Sequence, residues 1–146
     1  MLAVRELMTP EARCVGEREP LAEAARLMRD LGVGSLPICG TDNRLKGMVT
    51  DRDIVVRCVA EGADPTTVTA GELARGKPIT VDADAPAEEA LRTMAQHLVR
   101  RLPVISGHDL VGMVSQADVA RALPPELVGR CLADVSTTRE PDTAQA

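Results

Sequence analysis

The sequence predicts an α/β (α+β) fold made of two copies of a strand–helix–strand–strand–helix unit. Three observations predict it: an internal repeat, helical and extended spacings inside each copy, and a length that holds two such units and little more. Shifting the chain of 146 residues by 66 positions puts Glu6-Leu7 on Glu72-Leu73, Val15 on Val81, Pro20 on Pro86 and Glu23-Ala24 on Glu89-Ala90. Arg26 and Met28 then meet Arg92 and Met94, Val33 meets Val99, and Leu36-Pro37 meets Leu102-Pro103. After a one-residue adjustment, Gly47-Met48-Val49 falls on Gly112-Met113-Val114 and Asp53 on Asp118. Repeats of this length mark paired or stacked units that share buried surface.

Each element follows from local signals. Residues 14–16 and 79–82 read as short extended pieces. Glu19-Pro20 and Asp84 with Pro86 then open helices, since proline suits a helix's first turn. Leu21, Ala24, Ala25, Met28 and Leu31 recur at helical spacing, as do Ala87, Ala90, Leu91, Met94 and Leu98. Gly32 stands where a helix would end. Residues 35–39 and 102–106 read as strands; each carries a proline, which suits an edge or a strand start. A turn leads in each copy to the last strand of a hairpin, 46–50 or 111–115. A second helix follows, from 51 to 61 before Gly62, or from 116 to 123 before Pro124-Pro125. The domain reading is repeat 1 over 3–62, repeat 2 over 67–124, a C-terminal helix over 125–135 and a flexible tail over 136–146. A unit of this size buries too little surface to be stable alone. The two are expected to pack as a pseudo-twofold disc with a cleft on each side of the dyad.

Composition narrows function. Seventeen basic residues against 22 acidic ones leave a net charge of −5, a poor balance for gripping nucleic acid phosphates. No apolar run reaches membrane-spanning length, and the charged start MLAVRELMTPEAR lacks a signal peptide's apolar core. A cytoplasmic location is expected. Phe, Tyr and Trp are absent, so a bound base would be held by aliphatic side chains and backbone. No Walker loop, GxSxG, HExxH or GxGxxG occurs, and no nucleophile–base set can be argued from spacing. Catalysis and a bound cofactor are not expected. His97 and His108 flank the second proline strand, but two histidines without a third ligand make a weak metal site, and none is expected.

The sharpest local feature is Gly47-Met-Val-Thr50-Asp-Arg-Asp53, echoed by Gly112-Met-Val-Ser115-Gln-Ala-Asp118. Each copy places a hydroxyl at a strand-to-helix junction and a carboxylate three residues on. One reading is helix capping, the hydroxyl taking an orphan N–H and the acid favouring the positive helix end. The other is a nucleotide site, with hydroxyl and free N–H groups on phosphate and the carboxylate accepting from ribose hydroxyls. Two copies within a matching repeat favour the second.

With its proline strand and its G-h-h-T/S-x-x-D ending, the repeat resembles a tandem pair of cystathionine-β-synthase (CBS) domains over roughly residues 3 to 123. The resemblance implies two βαββα CBS repeats packed through their sheets as a pseudo-twofold CBS pair (a Bateman module), with further dimerisation to a homodimer. It also implies adenosine ligands, AMP, ADP, ATP or S-adenosylmethionine, in the inter-repeat clefts. Thr50 and Ser115 match the phosphate-side hydroxyl, Asp53 and Asp118 the ribose carboxylate, and Gly47 and Gly112 the point where a ligand nears the backbone. Val15, Leu36 and Ile38 in one repeat, and Ile79, Val81, Leu102 and Val104 in the other, match the walls for the purine. Arg100 and Arg101 stand where the family often carries a basic residue towards phosphate; the first repeat has Gly34-Ser35 there. The ligand role of this arginine pair stands beside the alternative of a solvated strand end.

The four cysteines, Cys14, Cys39, Cys58 and Cys131, show no zinc spacing. In the family fold Cys14 and Cys39 belong to one small sheet, within reach of a disulfide, where the second repeat carries Thr80 and Ile105. Such a bond would stabilise by roughly 3 kcal/mol in the chain-entropy model; two reduced buried thiols are the alternative. Cys58 and Cys131 read as structural or exposed. Two functions are thus expected: a nucleotide-binding regulatory module that signals to an unknown protein partner, or a ligand-free dimeric interaction and stress-response module tuned by a Cys14–Cys39 disulfide.

Overall fold

A computed structural model describes residues 2–74 and 76–137. In chain order the elements are α1 (Val4–Leu7), β1 (Thr9–Pro10), β2 (Val15–Gly16), α2 (Leu21–Leu31), β3 (Ser35–Cys39), β4 (Leu45–Thr50) and α3 (Asp51–Ile54). A π-helical stretch, Val55–Val59, continues α3. There follow α4 (Ala70–Leu73), β5 (Val81–Asp82), α5 (Ala87–His97), β6 (Arg101–Ser106), β7 (Asp109–Ser115), α6 (Gln116–Ala120) and α7 (Pro125–Thr137). The mixed α+β architecture is the one the sequence predicts. The tail assigned to 136–146 lies, past Thr137, outside the described residues.

The chain forms two compact units that do not divide where the repeats do. One is contiguous, residues 13–78; the other is split, joining residues 1–12 to 79 and beyond. The opening segment of each repeat therefore folds onto the other repeat's sheet. In the split unit Val4 is fully buried, and its N–H donates to the Ala85 carbonyl at 2.9 Å. In the contiguous unit Ala70 and Gly71 donate to the carbonyls of Glu19 and Glu17, each at 2.9 Å.

The contiguous unit has a three-stranded sheet in the order β2-β3-β4, and the split unit a four-stranded one in the order β1-β7-β6-β5. The proline strands β3 and β6 are central, not edges. The reason is the shortness of their parallel neighbours: β2 pairs only with Ile38 and Cys39, and β5 only with Val104 and Ile105. At Pro37 and Pro103 the ladder runs on one side alone, towards Met48 and Met113, so the missing N–H leaves no bond unmade.

Helix α2 buries Leu21, Ala24 and Met28 and stops at Gly32, which takes φ 69°. Helix α5 buries Ala87, Ala90, Leu91 and Met94 and ends at His97. Leu98, expected within its apolar stripe, instead adopts the left-handed turn with φ 57°, a conformation that costs about 1 kcal/mol without a glycine. The helix expected over 51–61 is α-helical only to Ile54 and then widens. The β-branched run Ile54-Val55-Val56 crowds a tight α turn, and the wider turn buries Cys58 while Val55, Val56 and Val59 face outward. In the second repeat the corresponding helix ends at Ala120 instead of 123.

Candidate functional site

Both hydroxyl–carboxylate motifs fold as reciprocal caps. In the contiguous unit the Asp53 N–H donates to Thr50 Oγ1 and the Thr50 N–H to Asp53 Oδ2, each at 3.0 Å. In the split unit the Asp118 N–H donates to Ser115 Oγ at 3.1 Å and the Ser115 N–H to Asp118 Oδ2 at 2.8 Å. The capping reading is thus realised at both sites, a geometry worth about 1 kcal/mol each. Capping uses one oxygen of each carboxylate, and the second oxygen faces an arginine one turn on. Arg57 Nη1 lies 3.8 Å from Asp53 Oδ1, and Arg121 Nη2 donates to Asp118 Oδ1 at 2.9 Å. The surroundings differ: Asp53 and Thr50 are buried, whereas Arg121 is 73% exposed.

Two sets of expected ligand contacts are occupied by the protein itself. A Cβ on Gly47 would lie 2.9 Å from the Cβ of Ala74, and one on Gly112 would lie 2.6 Å from the Thr9 carbonyl. At these glycines other segments of the same chain, at Ala74 and Thr9, approach the backbone. Of the seven apolar residues expected to sandwich a purine, six are core. Val15, Leu36 and Ile38 pack with Leu21, Ala24 and Met28 of α2. Val81, Leu102 and Val104 pack with Ala90, Leu91 and Met94 of α5. Ile79 is half-buried against that second core. Strand alternation turns the whole set towards the helices.

The polar residues are better placed. Arg101 opens β6 directly opposite Ser115, as Ser35 does opposite Thr50. Arg100 and Arg101 are exposed, and the Arg100 carbonyl accepts from the Gln116 N–H at 2.8 Å. The structure therefore gathers Arg101, Ser115 and Asp118 at one strand end. Three residues escaped sequence reasoning. Arg57 and Arg121 stand four and three positions after their aspartates, a helical spacing that could have flagged them. Gln116 carries a buried Nε2 with no hydrogen-bond partner among the described residues, an orphaned donor beside Ser115 that invites an acceptor.

Cys14 and Cys39 meet as expected from their strands. Both are free thiols, Cys14 half-exposed and Cys39 buried. The Cys39 thiol donates a hydrogen bond to the Cys14 sulfur, which lowers the Cys14 pKa from 9.0 to about 7. Holding that proton, and buried besides, Cys39 is pushed well above the usual thiol range. Cys58 is buried and its thiol faces the Ala63 carbonyl at 3.6 Å; the Cys131 side chain lies outside the described residues. Among the described residues no three His, Cys, Asp or Glu side chains cluster to hold a metal. No helix among them is long and apolar enough to cross a membrane.

Two repeats with capped strand-to-helix junctions, each completed by the other's leading segment, define a paired module. The chain belongs to the CBS-domain family, whose model matches residues 4–59 and 70–125. It is 53% identical over 128 residues to hypoxic response protein 1 of Mycobacterium tuberculosis, covering 88% of this chain and 90% of that protein. The crystal structure of that protein's namesake, with two coordinated zinc ions, matches with TM-score 0.79 and 54% identity over 84% of this chain and 100% of that one. Two more distant structures share the fold. CBSX2 in complex with AMP has TM-score 0.72 at 24% identity, covering 84% of this chain and 96% of that one. The CBS pair of MJ0100, with 5′-methylthioadenosine and S-adenosyl-L-methionine, has TM-score 0.73 at 22% identity, covering 83% and 94%.

Proposed function

We propose that the chain is a non-catalytic regulatory module that binds an adenosine nucleotide or S-adenosylmethionine and passes its occupancy to a protein partner. It works in the cytoplasm, where such ligands and reduced thiols prevail, and as a homodimer. The observation that carries the reading is the duplicated hydroxyl–carboxylate junction, Thr50/Asp53 and Ser115/Asp118, whose carboxylates keep lone pairs beyond those used in capping. The second copy suits an anionic ligand better. Arg101 and Arg100 stand beside Ser115, the exposed Arg121 can swing off Asp118, and the Gln116 amide awaits an acceptor. CBS-fold proteins solved with AMP and with S-adenosyl-L-methionine supply the ligand class.

Isothermal titration calorimetry with AMP, ADP, ATP and S-adenosylmethionine tests this. One of the four should bind saturably, and Asp118→Ala should weaken it on the order of tenfold or more, the worth of a hydrogen bond to a charged group. An unchanged affinity with lowered stability would leave Asp118 a cap alone.

The cysteine pair favours a second reading, a dimeric stress-response module tuned by redox state; the relative's name points the same way. A hydroperoxide is the oxidant. The Cys14 thiolate attacks its terminal oxygen, giving a sulfenic acid and an alcohol, and Cys39 then displaces water to close the disulfide. Silence across the nucleotide panel, with a disulfide mapped after mild peroxide, would favour this reading.

A further inference from the structure

We propose that Arg57 is a positioning residue that couples the Asp53 carboxylate to the Leu73 carbonyl, so that a ligand hydroxyl engaging Asp53 is reported to residues 70–74. The inference deepens the nucleotide reading of the first motif and rests on it. The same atom, Arg57 Nη1, lies 3.8 Å from Asp53 Oδ1 and donates to the Leu73 carbonyl at 2.8 Å. That carbonyl belongs to the last turn of α4, where no intrahelical donor remains. The guanidinium is only 26% exposed and the carboxylate 11%, so water screens the pair weakly. The other end of the motif touches the same segment, since Gly47 leaves just enough room for Ala74. Residues 70–74 are thus held from β4 and from the π-helical turn at once. They run on towards Ile79, where the split unit resumes.

A ribose hydroxyl donating to Asp53 Oδ1 competes for the charge that attracts Arg57, and the arginine's grip on Leu73 changes with it. Among the described residues the second motif lacks this link: the exposed Arg121 is seen to bond only Asp118. Among the described residues the connection is carried by the first repeat.

The test is amide hydrogen exchange by NMR at residues 70–74, in the free chain and with AMP. Asp53→Asn keeps an oxygen for the Thr50 N–H and so keeps the cap. In the free chain, Asp53→Asn and Arg57→Gln should each speed exchange at 70–74 on the order of tenfold, and the double variant no further. Exchange in β3 should stay at the wild-type rate. Additive effects, an unmoved segment in Asp53→Asn, or a rise that includes β3 would each overturn the coupling. Saturating AMP should then shift exchange at 70–74 in the wild type and leave Arg57→Gln unmoved. AMP bound by calorimetry with those amides unmoved in the wild type overturns the relay alone. No heat with AMP, ADP, ATP or S-adenosylmethionine overturns the nucleotide reading, and the reporting role falls with it.

Discussion

At Cys14 the hydrogen bond from Cys39 is the largest influence on the acidity of the thiol. The neighbouring Cys39 thiol stabilises the Cys14 thiolate, whose pKa falls to about 7, while Cys39 keeps its proton. Alkylation needs the thiolate. Iodoacetamide labelling, followed by peptide mapping, should therefore rise at Cys14 as pH climbs through about 7 and plateau above it. Cys39 should stay unlabelled through neutral pH. Changing Cys39 to Ala removes the donor and should move the Cys14 midpoint upward. A midpoint that stays near 7 in that variant would show that the bond is not its cause. The aspartates make a parallel point. Residue types and spacing exposed the Thr50/Asp53 and Ser115/Asp118 pairs in the sequence, yet not the arginines that face them, because i,i+4 neighbours matter only once a helix and its turn geometry are known.

Among the elements, the leading segments are where reading and structure diverge. Strands β3, β4, β6 and β7 and helices α2 and α5 were legible because apolar spacing, proline and glycine all agreed. The short α1, β1 and α4 were not, since two to four residues hold too little periodicity to register. Their burial is a tertiary fact: Val4 is fully buried in the split unit's core. The apolar residues assigned to a ligand's walls lie mostly in the two cores; alternation shows that a face is apolar but not what covers it. The packing of α1 and β1 gives a direct test. A Cβ at Gly112 would lie 2.6 Å from the Thr9 carbonyl, backbone that cannot yield without losing the β1–β7 pairing. Gly112→Ala should lower stability by about 1–3 kcal/mol and raise exchange at Thr9 in native-state measurements. A variant as stable as wild type would show that β1 is not held there.

For the molecule as a whole, the exposed large apolar side chains among the described residues lie on the contiguous unit. Val55, Val56, Val59 and Leu31 are large apolar side chains between 42% and 58% exposed. A groove of about 470 Å³ beside them is lined by Met28, Val33, Ile54 and Val55, with Arg29 and Asp51 at hand. Surfaces of this kind mark interaction sites, and the homodimer we propose uses this one. Val59→Asp should leave the fold intact and convert the dimer to the mass of one chain in size-exclusion chromatography with light scattering. A dimer that survives the change places its interface elsewhere.

The split unit also has an order of assembly built into it. Thr9 pairs with Met113, so β1 waits until β7 has been made before its ladder exists, whereas the β2–β3–β4 pairings all lie within residues 13–78. Synthesis interrupted between the two would thus leave β1 without its partner strand.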